Sequence, residues 1–352
     1  MEQSVPTQSN RAYGWALLAA AATVLLIAVT YLNIPAPAVP EEDAALIEAF
    51  FVLLGFFARV LLLVPLLCVA PALWARSAWR VHPLMLAALS AVAFATGAAF
   101  GGMMDGLYNV GLIAPAGVLL YVAQQRKVSH FKVVFYGSIV LLLGLFLRIS
   151  VPSMASDGDA FLPMRSVVDA YRVIWLPGSE EPFDTTTVAG SVLALMDKML
   201  RDLKLNANEY LVEILYYPAA LAALCAPLLS HAFNRRGGAE LKPLPPFSDW
   251  MAEPEYVYGV LVLSLAALVL SMAGQQTGAA LLRIAYVLWL LPMALVGLCT
   301  LKKWSKGRPW IFVIGIVALS ALFSMAVQAL SIVGMIGFMR WQIQKRMQGG
   351  TR

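Results

Sequence analysis

The sequence predicts an all-α polytopic membrane bundle of about eight to nine crossings with one helical extramembrane insert. Runs of about twenty apolar residues recur along the 352-residue chain, each long enough to cross a hydrocarbon core of about 30 Å. Basic residues collect in every second gap between the runs. The composition agrees: 61% hydrophobic and 13% charged with a mean hydropathy of +0.77, where a soluble domain carries about 25% charged residues.

Nine candidate spans follow in order, at 12–32, 47–74, 84–104, 109–124, 133–151, 209–232, 256–273, 279–301 and 310–339. They divide the chain into an N-terminal bundle of five spans (1–151), an outer-face amphipathic insert (152–208) and a C-terminal bundle of spans six to nine (209–352). The first span is read as a crossing and not as a cleaved signal peptide, despite Ala36-Pro37-Ala38, because its apolar stretch is too long and its basic flank too thin. Pro65 and Pro71 interrupt the second span and predict a kink.

Orientation follows from the excess of Lys and Arg in short cytoplasmic loops. Arg76 and Arg80, Arg126 with Lys127 and Lys132, Arg235 with Arg236 and Lys242, and Lys302, Lys303, Lys306 and Arg308 all fall on one side. The opposite gaps, Pro35 to Asp43, Asp105 to Asn109 and Gly274 to Gly278, hold no Lys or Arg. This predicts a bacterial cytoplasmic (inner) membrane protein with its N-terminus inside. Nine crossings would leave Arg340, Lys345 and Arg346 outside; alternatively the last segment bends near Gln328 or Gly334, or lies in the interface.

Cys68, Cys225 and Cys299 lie within spans without metal-ligand spacing and read as small buried hydrophobes. The net charge of +5 sits mostly in the cytoplasmic loops, so no nucleic-acid partner is implied. No cofactor motif is present. In the insert, Val188, Val192, Leu195, Met196, Met199, Leu200 and Leu203 recur at helical spacing from Thr187 to Leu205, predicting an amphipathic helix. It lies on the membrane surface, caps the bundle, or acts as a lid hinged where Pro163, Pro177, Gly178 and Pro182 break the preceding stretch into turns. In the loop after the sixth span, prolines 243, 245, 246 and 254 impose an extended path. Phe247 and Trp250 anchor it at headgroup level or dock a partner.

This loop, reading Arg235-Arg236 and then Leu244-Pro245-Pro246-Phe247-Ser248-Asp249-Trp250, resembles the YybS-like family of uncharacterised bacterial multi-spanning membrane proteins. The stretch Pro292-Met293-Ala294-Leu295-Val296-Gly297-Leu298 before Lys302-Lys303 looks like that family's penultimate helix. The ending from Val333-Gly334 to Lys345-Arg346 is similar to its glycine-then-basic terminus. The likeness covers roughly residues 209–346. Where the family often carries an aspartate after the terminal glycine, this chain has Gly337, Met339 or Arg340. The resemblance implies a distant likeness to substrate-binding subunits of energy-coupling-factor vitamin transporters, which dock a partner through small-residue faces. Ala16 with Ala20 and Gly97 with Gly101 have that spacing, as do ordinary packing faces of membrane helices.

Charges within spans are costly and mark function or a buried pair. Arg59, about twelve residues into the second span, falls near mid-bilayer. Glu48, Arg148, Glu213 and Arg283 lie near outer span ends, with Asp105 and Gln328 in the same layer. Turned inward, they predict an outward-facing polar cavity floored by Arg59 and walled by Tyr216 and Tyr217. Snorkelling or structural ion pairing is the plainer alternative. His82, His130 and His231 show no metal-ligand spacing, and no HExxH or nucleophile elbow occurs. The sequence therefore predicts a small-molecule or lipid-like ligand-binding or transport subunit. A cell-envelope scaffold is the alternative, and an intramembrane enzyme the more distant one.

Overall fold

The computed structural model describes residues 7–349 apart from 33, 36, 38–40, 82, 127, 158–161, 177–185, 206, 237–249, 306–307, 309, 312 and 315–323. The described residues form eleven helices and no strand. These are α1 (Thr7–Thr30), α2 (Glu41–Val81), α3 (Pro83–Gly101), α4 (Met103–Gln125), α5 (His130–Asp157), α6 (Leu162–Trp175), α7 (Val188–Leu205), α8 (Ala207–Arg236), α9 (Pro254–Met272), α10 (Gln276–Trp304) and α11 (Ser324–Gly349). Eight of them, α1 to α5 and α8 to α10, contain segments long and apolar enough to cross a membrane. The ninth expected span, 310–339, falls partly outside the described residues. From Ser324 onward it is one uninterrupted helix, so the chain does not bend at Gln328 or Gly334.

The chain divides into two compact units. Residues 1–127 and 137–238 form the first, and residues 128–136 and 239–352 the second. In the first unit α2 is the hub, packing against α1, α3, α4, α6 and α8. Alanines make this close packing feasible: Ala70, Ala72, Ala75 and Ala78 of α2 and Ala219, Ala220, Ala222, Ala223 and Ala226 of α8 are all buried. Small side chains let helices in lipid approach closely, where dispersion contacts replace the hydrophobic drive. At the centre, the Trp74 indole donates to the Thr23 hydroxyl at 2.9 Å, so its polar edge is satisfied in a dry interior. Cys68 and Cys299 are buried, Cys225 is half-buried, and all three are free.

Two elements differ from expectation. The gap expected at Asp105–Asn109 is helical: α4 already starts at Met103, and the α3–α4 break is the single residue Gly102. Its φ of 89° lies in the left-handed region that glycine enters without a Cβ clash. The stretch after Pro163, expected as turns, is α6, with Pro163 in its first turn, where a missing N–H costs nothing.

The second unit packs α9 and α11 on α10. Gly297 meets the Leu330 carbonyl, Gly334 the Met293 carbonyl and Gly337 the Thr300 side chain, each where a Cβ would collide. The α10 and α11 backbones are therefore in direct contact. Beside them, Tyr256 packs with Phe131 and Phe135 over a core of Val257, Val260, Met293, Val296 and Phe338.

Candidate ligand-binding site

The first unit gathers a polar cluster where α1 ends, α4 begins and α5 passes. Asp105 and Asn109, one helical turn apart on α4, face the same way. Gly97 and Gly101 of α3 leave the room they occupy, because a Cβ at Gly97 would strike the Asn109 amide and one at Gly101 the Asp105 carboxylate and the Tyr31 hydroxyl. The Gly97/Gly101 face is thus filled from within the unit.

Tyr31 donates its hydroxyl to Asp105 Oδ2. Its ring stacks on Phe100, with centroids 5.3 Å apart, and the Arg148 guanidinium lies 4.6 Å from its centroid, within cation–π range. Arg148 Nη2 donates to the Thr30 hydroxyl at 3.4 Å, and Nη1 lies 3.8 Å from Asp105 Oδ1, with both side chains only 12% exposed.

The cluster is incompletely satisfied. Arg148 Nε and Asn109 Oδ1 are buried with no hydrogen-bond partner among the described residues; Asn109 is fully buried, and its Nδ2 donates to the Asp105 carbonyl at 2.8 Å. A guanidinium with five donors that reaches its carboxylate only at 3.8 Å, beside an unmet donor and an unmet acceptor, is a weak structural pair. It is chemically suited to an added polar group.

Arg59, Glu48, Tyr216 and Tyr217 lie elsewhere in the first unit. Arg59 folds back along α2 and donates from Nε to the Gly55 carbonyl at 3.2 Å, and no carboxylate among the described residues pairs with it. Glu48 is exposed on α2. Glu213 lies on α8 with its side chain outside the described residues. Tyr216 is fully buried beside Ser138, and Tyr217 is half-buried. Arg283 and Gln328 belong to the second unit, where Gln328 Nε2 donates to the Tyr286 hydroxyl at 2.7 Å. Phe247 is outside the described residues, whereas Trp250 stacks on His130 at 5.8 Å.

Of the expected set, then, Asp105 and Arg148 come together, joined by Thr30, Tyr31 and Asn109. The i, i+4 spacing of Asp105 and Asn109 was a visible signal, whereas Thr30 and Tyr31 close an ordinary apolar run and carried none. A second buried cation, Arg76, lies at the far end of α2, 5.5 Å over the Trp15 ring and 1% exposed.

No curated protein matches this chain, and no solved structure matches it. A family model described as a predicted membrane protein, DUF2232, matches residues 45–338, a region that runs from α2 into α11 and includes Asp105, Asn109 and Arg148. The chain belongs to this family of multi-spanning membrane proteins.

Proposed function

We propose that the protein is a small-molecule or lipid-like ligand-binding or transport subunit of the bacterial inner membrane, with its N-terminus cytoplasmic and its polar site open to the outer face. The observation that carries this reading is the unfinished cluster: a buried guanidinium and carboxylate 3.8 Å apart, flanked by the unmet Arg148 Nε and Asn109 Oδ1. Buried polar atoms in native proteins are nearly always paired. A bound group supplying an anionic or hydroxylic acceptor to Arg148 and a donor to Asn109 completes this set. The orientation that the basic loops predict would turn the end of α1, the start of α4 and Arg148 of α5 toward the outer surface. No nucleotide-binding motif occurs in the sequence, so any transport draws its energy from an ion gradient or from another subunit.

The test is to purify the chain from native membranes, extract what remains bound and identify it. Arg148→Gln and Asp105→Asn are expected to lose the bound species. Arg59→Gln, whose guanidinium bonds only its own helix among the described residues, is expected to keep it. Retention by the Arg148 and Asp105 variants overturns the assignment. The scaffold alternative assigns Phe247 and Trp250 to partner docking and predicts a stoichiometric protein partner lost on replacing them, with nothing small bound.

A further inference from the structure

The α7 helix is amphipathic in the reverse sense to a helix that packs its apolar face inward. Its protein-facing side carries Gly190 and Asp197, both buried. Asp197 is held by Arg172 of α6 at 2.8 Å and by Arg201 at 2.6 Å, and Lys204 reaches back to Asp169 of α6 at 2.7 Å. On the opposite side Val188, Val192, Leu195 and Met199 form a continuous stripe at i, i+4, i+7 and i+11. They are 84%, 51%, 58% and 64% exposed. Ionic contacts thus fasten the helix to the protein while its apolar residues face away.

The surroundings of the α6–α7 pair indicate what meets that stripe. Val167, Ala170, Tyr171 and Ile174 of α6 pack against Ala49, Val52 and Leu53 near the start of α2. At that same level the other side of α2 bears an exposed apolar stripe, Leu46, Phe50, Leu54, Phe57 and Leu61, in the manner of a lipid-facing surface. The pair therefore stands level with the apolar layer's edge. At its other end, α7 closes at Leu205, and α8 begins at Ala207 and holds a candidate span from Leu215. Trp175, 56% exposed at the end of α6, is a residue type that favours the headgroup boundary. An apolar stripe flanked on one side by exposed Ser191, Lys198 and Asp202 and on the other by half-buried Met196, Leu200 and Leu203 is the design of a helix lying in the membrane plane.

We propose that α7 is an interfacial membrane helix that seats Val188, Val192, Leu195 and Met199 in the acyl boundary of the leaflet at the N-terminal end of α2. Its ion pairs to α6 hold it parallel to the surface. The inference does not depend on the ligand site.

The test uses the full chain, one copy per nanodisc of phosphatidylcholine and phosphatidylglycerol. Spin labels at single cysteines replacing residues 188 to 202, with Cys68, Cys225 and Cys299 removed, report collisions with lipid-soluble oxygen and a water-soluble nickel complex. Expected is a helical period in which positions 188, 192, 195 and 199 favour oxygen and positions 191, 198 and 202 favour nickel. Where the cysteine-free background does not fold, the unaltered chain serves: a phospholipid with a diazirine high on its acyl chain is expected to crosslink to Leu195 or Met199 and not to Ser191. Nickel access along the whole stripe, absence of adducts, or protection appearing only when two copies share a disc each overturns the proposal; the last outcome assigns the stripe to a second copy.

Discussion

At the residue scale, the cluster around Arg148 depends on Tyr31 remaining a hydroxyl donor. Its hydroxyl donates to Asp105 Oδ2. Tyr31→Phe removes that donor from a buried carboxylate, at a cost of about 1–3 kcal/mol, and a lowered melting temperature of the detergent-solubilised chain is expected. Arg59 shows why single charges are hard to read from sequence. Counted from the start of its span it falls at mid-bilayer, but α2 is 41 residues long, about 60 Å at 1.5 Å per residue, and overshoots a core of about 30 Å. Arg59 stands roughly 25 Å along the helix from Arg76, and its head folds toward the N-terminal end, the behaviour of a snorkelling side chain.

At the element scale, most helices were legible because a lipid-exposed span must be apolar whatever it packs against. Their joints were not. Asp105 and Asn109 read as a loop since polar residues interrupt an apolar run, yet the glycines of α3 accept them inside a helical hairpin. The α6 helix was hidden by the prolines on either side, one of which sits in its first turn. Glycine contact in α10 and α11 yields a direct prediction. Gly334→Leu would push a side chain into the Met293 carbonyl, and overpacking of this kind costs about 1–3 kcal/mol; a lowered melting temperature is expected, with Gly259→Leu, in open space, as the neutral control. In the α6–α7 pair, Asp197→Ala leaves Arg172 and Arg201 without their shared carboxylate. A cost of about 1–3 kcal/mol is expected, read as faster hydrogen exchange over residues 188–205 while α3 and α4 stay protected.

At the scale of the whole molecule, the alternation of basic loops predicts one orientation. An impermeant thiol reagent applied to intact cells should label a cysteine placed at Ser191 or Gln275 and leave one placed at Arg126 or Ser305 unlabelled until the membrane is opened. The reverse pattern would turn the polar cluster toward the cytoplasm. Function was less legible than architecture. The sequence displayed scattered charges, and only the packing of α1, α3, α4 and α5 shows which of them meet: Asp105 and Arg148 do, through Tyr31 and across two glycines. The most direct test of the account is native mass spectrometry of the chain released from its own membranes, comparing the natural protein with Arg148→Lys, which keeps the charge and removes the planar fork. The account predicts one bound mass per chain on the natural protein, absent from Arg148→Lys at an unchanged melting temperature; the same mass persisting on Arg148→Lys and on Asp105→Asn would contradict it.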